Sequence, residues 1–239
     1  MPILHDPPSA DPSRPAAAAR RRRREGPATP LSRGRIVSAA LALVDREGAG
    51  ALSMRRLGAE LGVDPMAVYY HIPNKEALLD AIVEAVMGEI DLGCDDPAAA
   101  PGERILVAAR AYRDVMLAHG NALPIVLSRG PATPVAMRPV ELLLGVLRDA
   151  GLPPVLAMAG MNVIAAAVRG AVAMAGSGRA HHAPEQRAAL AAAFPADQFP
   201  YLHEAMSAPA GPCDPFERDF EFGLRALARG LIAEGRGEA

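Results

Sequence analysis

Gly62 follows Gly58 by four positions in 54-MRRLGAELGVDPMAVYYHIPNK-75, and that interval decides what the front of this chain can fold into. Apolar residues stand at 54, 57, 61, 63 and 68. This pattern suits two short helices that cross steeply. Gly58 lets the two backbones approach, Gly62 permits the turn between them, and Val63 and Val68 seal the corner. Ser53 starts the first of the pair. Asp64 caps the second, with Pro65 at its first position, where a missing N–H costs nothing. Pro73 ends it, and Asn74 caps a further helix with Leu78, Ile82, Ala85 and Val86 on one face. The arrangement is a helix-turn-helix.

The second helix of such a pair can enter a DNA major groove about 12 Å wide. With Val68 inward, residues 65, 66, 67, 69 and 71 share the outer arc. Pro65, Met66 and Ala67 then face base edges. Tyr69 and His71 can donate hydrogen bonds to phosphates or touch thymine methyls. The chain has only 4 Tyr and 5 Phe and lacks Trp, so two adjacent tyrosines on one short turn mark a contact surface. Tyr70 is expected to pack partly against the helix before the pair. Charge points the same way: residues 1–75 carry 12 basic and 7 acidic side chains, and the remainder carries 13 and 20. A basic front suggests an anionic partner there.

Residues 1–30 are Pro, Ala and Arg with little to bury, the composition of a disordered arm. Inside it, 20-RRRRR-24 could follow phosphates or enter a minor groove, or simply add non-specific attraction as a solvated tail. Order is expected from Ser32, with Ile36, Ala40, Leu43 and Val44 at helical spacing up to about Gly48. After a break at 91–102, further helices are expected near 102–119, 134–150, 153–177, 184–194, 198–207 and 214–235, separated by Gly and Pro. Asp214, Pro215 and Glu217 form a cap, first position and third position. Alternating strand segments and internal repeats are absent from the pattern. The fold class is all-α: a helix-turn-helix domain over 31–76, then a helical domain over 77–239.

The run 153-PPVLAMAGMNVIAAAVRGAVAMAG-176 is interrupted by Asn162 and Arg169 and dominated by small residues. It reads as a bundle helix rather than a membrane span. The N-terminus lacks the apolar core of a signal peptide. Cys94 and Cys213 have neither metal nor redox spacing and read as free thiols in a reducing cytosol. His181 and His182 are neighbours without a third ligand or the acid of a His-His acyltransferase motif. With neither nucleophile elbow nor phosphate loop nor paired carboxylates, the expectation is no enzyme, no catalytic residue, no metal and no cofactor.

The stretch 32–82, through its first helix, 48-GAGALSMRRLGAE-60, the L-G-V turn, Tyr69-Tyr70-His71 and 74-NKEALLDAI-82, closely resembles the N-terminal domain of the TetR (tetracycline repressor) family. Further on, 216-FERDFEFGLRALARGL-231 resembles the last helix of the tetracycline-repressor type of C-terminal domain. The resemblance implies that Arg55 reads a base edge, Ser53 and Arg56 lie near the DNA backbone, Pro65, Met66 and Ala67 face bases, and Tyr69, His71 and Lys75 contact phosphates. It implies a homodimer whose last two long helices form a four-helix bundle, with Phe216, Phe220, Leu224, Leu227 and Leu231 as an apolar stripe. It also implies a ligand pocket, for which Tyr112, Met116, Met137, Leu143, Met158 and Asn162 are candidates on Met-rich walls suited to an apolar molecule. Val126 stands where tetracycline-binding members place a magnesium-ligating histidine, so a magnesium–tetracycline site is not expected. The function implied is a cytoplasmic transcriptional repressor that binds a palindromic double-stranded operator and is released by an inducer. The alternative is an architectural or partner-controlled DNA-binding protein of the same fold without a small-molecule ligand.

Overall fold

In a computed structural model of the chain, the structure describes residues 30–93, 95–176, 184–209 and 214–237. The arginine run, both cysteines and the His181–His182 pair lie outside the described residues. Residues 33–239 make one compact unit. Eleven α-helices and two short 3₁₀ turns, Ala49–Ala51 and Gly120–Ala122, are found among the described residues, and strands are not.

The front begins with α1 (Arg33–Glu47), α2 (Met54–Leu61), α3 (Pro65–His71) and α4 (Lys75–Gly88). Each start after α1 follows a capping side chain. Ser53 accepts a hydrogen bond from Arg56 N at 3.1 Å, Asp64 from Met66 N at 2.8 Å, and Asn74 from Ala77 N at 2.8 Å. Gly62 stops α2 in the left-handed region at φ 68°. Gly58 is where α2 and the start of α3 meet: a Cβ there would lie 3.1 Å from Val63 O and 3.2 Å from Pro65 N. Leu57, Val68, Ile72, Leu78 and Ile82 fill the core beneath, together with Ile36, Leu43 and Val44 of α1.

The rear comprises α5 (Pro101–Ala118), α6 (Leu123–Arg129), α7 (Pro134–Asp149), α8 (Pro154–Gly176), α9 (Pro184–Ala193), α10 (Pro200–Ser207) and α11 (Pro215–Arg236). The expected helices recur within a residue or two. Helix α6 was not anticipated: seven residues with a proline at the second position are too short to show a period. Helices α5, α7, α8 and α11 share one core around Ile105, Val146, Leu147, Ile164, Val168 and Leu224. Two arginines fasten α11 to α5. Arg110 holds Glu221 through two hydrogen bonds of 2.6 and 2.7 Å, and its guanidinium keeps that carboxyl down at about 2. Arg113 donates to Glu217 at 2.9 Å and lies 4.5 Å from the Phe220 ring centre.

Helix α8 is long and apolar enough to cross a membrane by length and composition alone. Its Ala157, Gly160, Ile164, Ala165, Val168 and Val172 are buried against neighbouring helices, the pattern of a bundle helix. The opposite stripe, Leu156, Val163 and Met174 with Ala159, Ala166 and Gly170 between them, is exposed and uncharged.

Candidate nucleic-acid interface and ligand cavity

Helix α3 projects from the corner with only Val68 fully enclosed. Met66 is 71% exposed, Tyr69 40% and Tyr70 88%, while Pro65, Ala67 and His71 are half-buried. The expectation that Tyr70 packs against the preceding helix is therefore wrong. Residue 70 lies two positions after the inward Val68, about 200° around the helix, which carries it to the far side. Its ring instead meets His71 edge-on, with centroids 5.4 Å apart. Tyr70 thus joins the outward surface that sequence reasoning had assigned to its neighbours.

The flanking cations divide into two kinds. Arg56 donates to Glu47 at 2.8 Å, and Glu47 also receives Arg46. Arg55 and Lys75 are exposed and have no carboxylate partner among the described residues. Arg55 on α2 and Lys75 at the start of α4 are therefore positive charges available to an outside anion, on either side of α3 in sequence. The amino end of α4 adds its own partial positive charge close to Lys75.

Two polar clusters tie this unit to the helices behind it. Arg129, at the end of α6, donates to Asp80 at 2.6 Å and to Glu76, both on α4. His119, just past α5, uses Nδ1 towards Asp45 of α1 at 2.8 Å and Nε2 towards Glu89 at 2.8 Å. Two carboxylates on opposite ring nitrogens call for the imidazolium form. Burial pulls the His119 pKa down, but the hydrogen bonds its ring donates to Glu89 and Asp45, and their charges, outweigh it, leaving the value above the ordinary 6.5. A raised folded-state pKa contributes stability that is complete below 6.5 and fades as pH rises through the higher folded value. The melting temperature should therefore fall over that window. His119→Gln should flatten that part of the profile, and a profile equally steep in the variant would remove His119 as its source.

Between α4, α5, α6, α7 and α8 lies a cavity of about 350 Å³, within the range that holds a drug-sized molecule. Met87 and Ile90 close the α4 end, Val126, Gly130 and Pro131 the α6 side, and Met137, Pro139 and Leu143 the α7 side. Tyr112, Met158 and Asn162 also line it. Met116, the remaining sequence candidate, does not. It sits one turn beyond Tyr112 on α5 and is fully enclosed in packed core, so it has no face left for a ligand. Arg169, Met161 and Asp95 line the cavity although sequence reasoning did not select them. Val126 is on its wall, and valine offers nothing to a metal ion. Among the described residues, no three His, Cys, Asp or Glu side chains cluster as metal ligands do.

A capped helix-turn-helix with an outward aromatic helix, on a helical body with an apolar cavity, defines the class of one-component DNA-binding regulators. Residues 36–82 match the family described as bacterial regulatory proteins, tetR family, and residues 96–234 match the tetracyclin repressor-like C-terminal domain. The chain belongs to the TetR family of transcriptional regulators. It is 32% identical over 238 residues to the HTH-type transcriptional repressor DrrR1 of Streptomyces coeruleorubidus, covering 92% of this chain and 85% of that one. It superposes on apo ActR from Streptomyces coelicolor with a TM-score of 0.76 at 32% identity, covering 88% of this chain and 99% of ActR. ActR in complex with actinorhodin gives a TM-score of 0.74 at 32% identity, over 87% of this chain and 99% of that one.

Proposed function

We propose that this chain is a repressor that binds a palindromic operator as a homodimer and releases it when a small, mainly apolar molecule fills the cavity. The observation that carries this reading is the double role of α4. Its first residue, Lys75, follows the end of the recognition helix by four positions, and its last turn supplies Met87 to the cavity wall. Helix α6 presents Val126 to the cavity and Arg129 to Glu76 and Asp80. A ligand that displaces α6 therefore pulls on α4 near its DNA end. A coupling of about 1–3 kcal/mol would change operator affinity roughly 5–150-fold. The actinorhodin-bound relative supports a small molecule as the signal.

Dimerisation is assigned to α8 and α11. The uncharged stripe of α8 bearing Val163 and Met174, and Phe222 of α11 at 76% exposure, offer apolar surface that a second copy would cover. Two recognition helices would then enter successive major grooves about 34–36 Å apart. The protein works on DNA in the cytoplasm, with the inner face of α8 packed in the bundle rather than the helix lying in a membrane.

The free cations separate base reading from backbone attraction. Arg55→Ala should cost about 1–3 kcal/mol on the cognate site and relax preference at one base pair. Equal losses on every sequence would contradict base reading by Arg55. Lys75→Ala should weaken binding to all duplexes alike and lower the salt slope by roughly one unit. An unchanged slope would take Lys75 out of the phosphate contacts. Titrations of both variants against cognate and scrambled duplexes at several salt concentrations decide the matter.

A further inference from the structure

The cavity is apolar apart from five side chains, and these five differ in whether their polar atoms are already engaged. Asp95 is satisfied: Arg104 donates to one carboxylate oxygen through Nε at 2.9 Å and to the other through a terminal nitrogen at 2.9 Å. Asp91 accepts from Gly93 N at 2.8 Å and has a further interaction besides. The three potential donors are different. Tyr112 and Asn162 make no side-chain hydrogen bond among the described residues. Arg169 donates only from Nε, at 3.1 Å to Ala165 O one turn back in its own helix. Both of its terminal nitrogens lack a carboxylate among the described residues.

Asn162 and Arg169 are seven residues apart on α8, hence two turns apart on the same face and about 10 Å apart along the axis. Tyr112 of α5 lines the same cavity as Arg169. Burial pushes the Tyr112 hydroxyl up, and the Arg169 charge opposes the rise. The cavity wall therefore carries a guanidinium fork and a phenol, both with hydrogen-bonding capacity unused. A wholly apolar ligand lying there would strip water from the cation and return nothing, which is costly. An acidic oxygen group would compensate the charge and fit the planar fork.

We propose that Arg169 and Tyr112 hold the acidic oxygen group of a ligand whose remaining body is apolar, so that Arg169 selects anionic inducers over neutral ones. This rests on the ligand-binding reading above and adds the chemical class of the ligand. Sequence offered a signal for it: Arg169 is a charge in an otherwise apolar helix.

The test compares two fluorescent probes of nearly equal body, 8-anilinonaphthalene-1-sulfonate and its uncharged counterpart N-phenyl-1-naphthylamine. Each is titrated into the full-length protein and its R169Q and R169K variants. Circular dichroism melts establish that the variants fold, and Arg169, held by a single bond to its own helix, is a site where both should. Wild type is expected to favour the sulfonate by about tenfold or more, the effect of a hydrogen bond to a charged group. R169Q should lose that preference while binding the neutral probe as before, and R169K should keep part of it. A sulfonate preference unchanged in R169Q overturns the role of Arg169 and leaves the ligand-binding reading standing. Failure of wild type to bind either probe removes the ligand-binding reading and the proposal together.

Discussion

Gly58→Val should lower the melting temperature and abolish sequence-specific DNA binding. At this position even a Cβ would stand 3.1 Å from Val63 O, 3.2 Å from Pro65 N and 3.3 Å from Pro65 Cα. All three are backbone atoms at the turn and the first residue of the recognition helix, so they cannot rotate away as a side chain would. The two methyls of valine need still more room. Overpacking of this kind costs about 1–3 kcal/mol. The larger consequence is positional: α3 must shift against α2, and contacts worth about 1–3 kcal/mol each at the base edges require both helices in place. Thermal denaturation and operator titration of the same preparation would show both effects. Operator affinity equal to wild type would mean that the Gly58 contact does not set the recognition helix.

The second large effect is expected from Gly151→Ala, far from DNA. Gly151 links α7 to α8 at φ 97°, and a Cβ there would come within 2.5 Å of Gly235 O at the end of α11. The positive φ alone costs an L-residue about 1–2 kcal/mol, and the overlap with a backbone carbonyl adds a cost of similar size. Together, a loss of about 2–4 kcal/mol is expected. The end of α11 must also move from the start of α8. Since these two helices carry the proposed dimer surface, the variant should dissociate at concentrations where the parent is dimeric. Sedimentation and a thermal melt read the two effects. A variant as stable and as dimeric as the parent would show that the turn adjusts freely.

Much of this architecture was legible because the chain marks its helix starts with chemistry that has a single structural use. Ser53, Asp64, Asn74 and Asp214 each accept a hydrogen bond from the first turn they precede. Proline at the first position of α3 and α11 sharpened the boundaries. The glycine pair located the corner for the same reason, since Gly62 alone there needs a left-handed backbone. Helix α6 escaped because seven residues, about two turns with a proline among them, are too few to display a 3.6-residue period. Tyr70 was misplaced although the period counted from the inward Val68 carries it to the outward side of α3.

Cavity walls were harder to read than helix starts. Periodicity tells which face of a helix turns inward but not whether the inward space is packed or open. Tyr112 and Met116 share a face of α5, yet one lines the cavity and the other is enclosed in packed core. The polar residues were the better guide. Asn162 and Arg169 stood out as interruptions of an apolar run, and both face the open space.

Selection of random duplex DNA by the purified full-length protein, followed by sequencing and titration of the recovered sites at two salt concentrations, is the most direct test of the central claim. Recovery of a palindrome whose half-sites lie about one helical turn apart is expected from a two-fold pair of α3 helices. Recovery of no common sequence, with binding that depends steeply on salt alone, would contradict a dimeric, sequence-reading regulator and leave only attraction between the arginines and the DNA backbone.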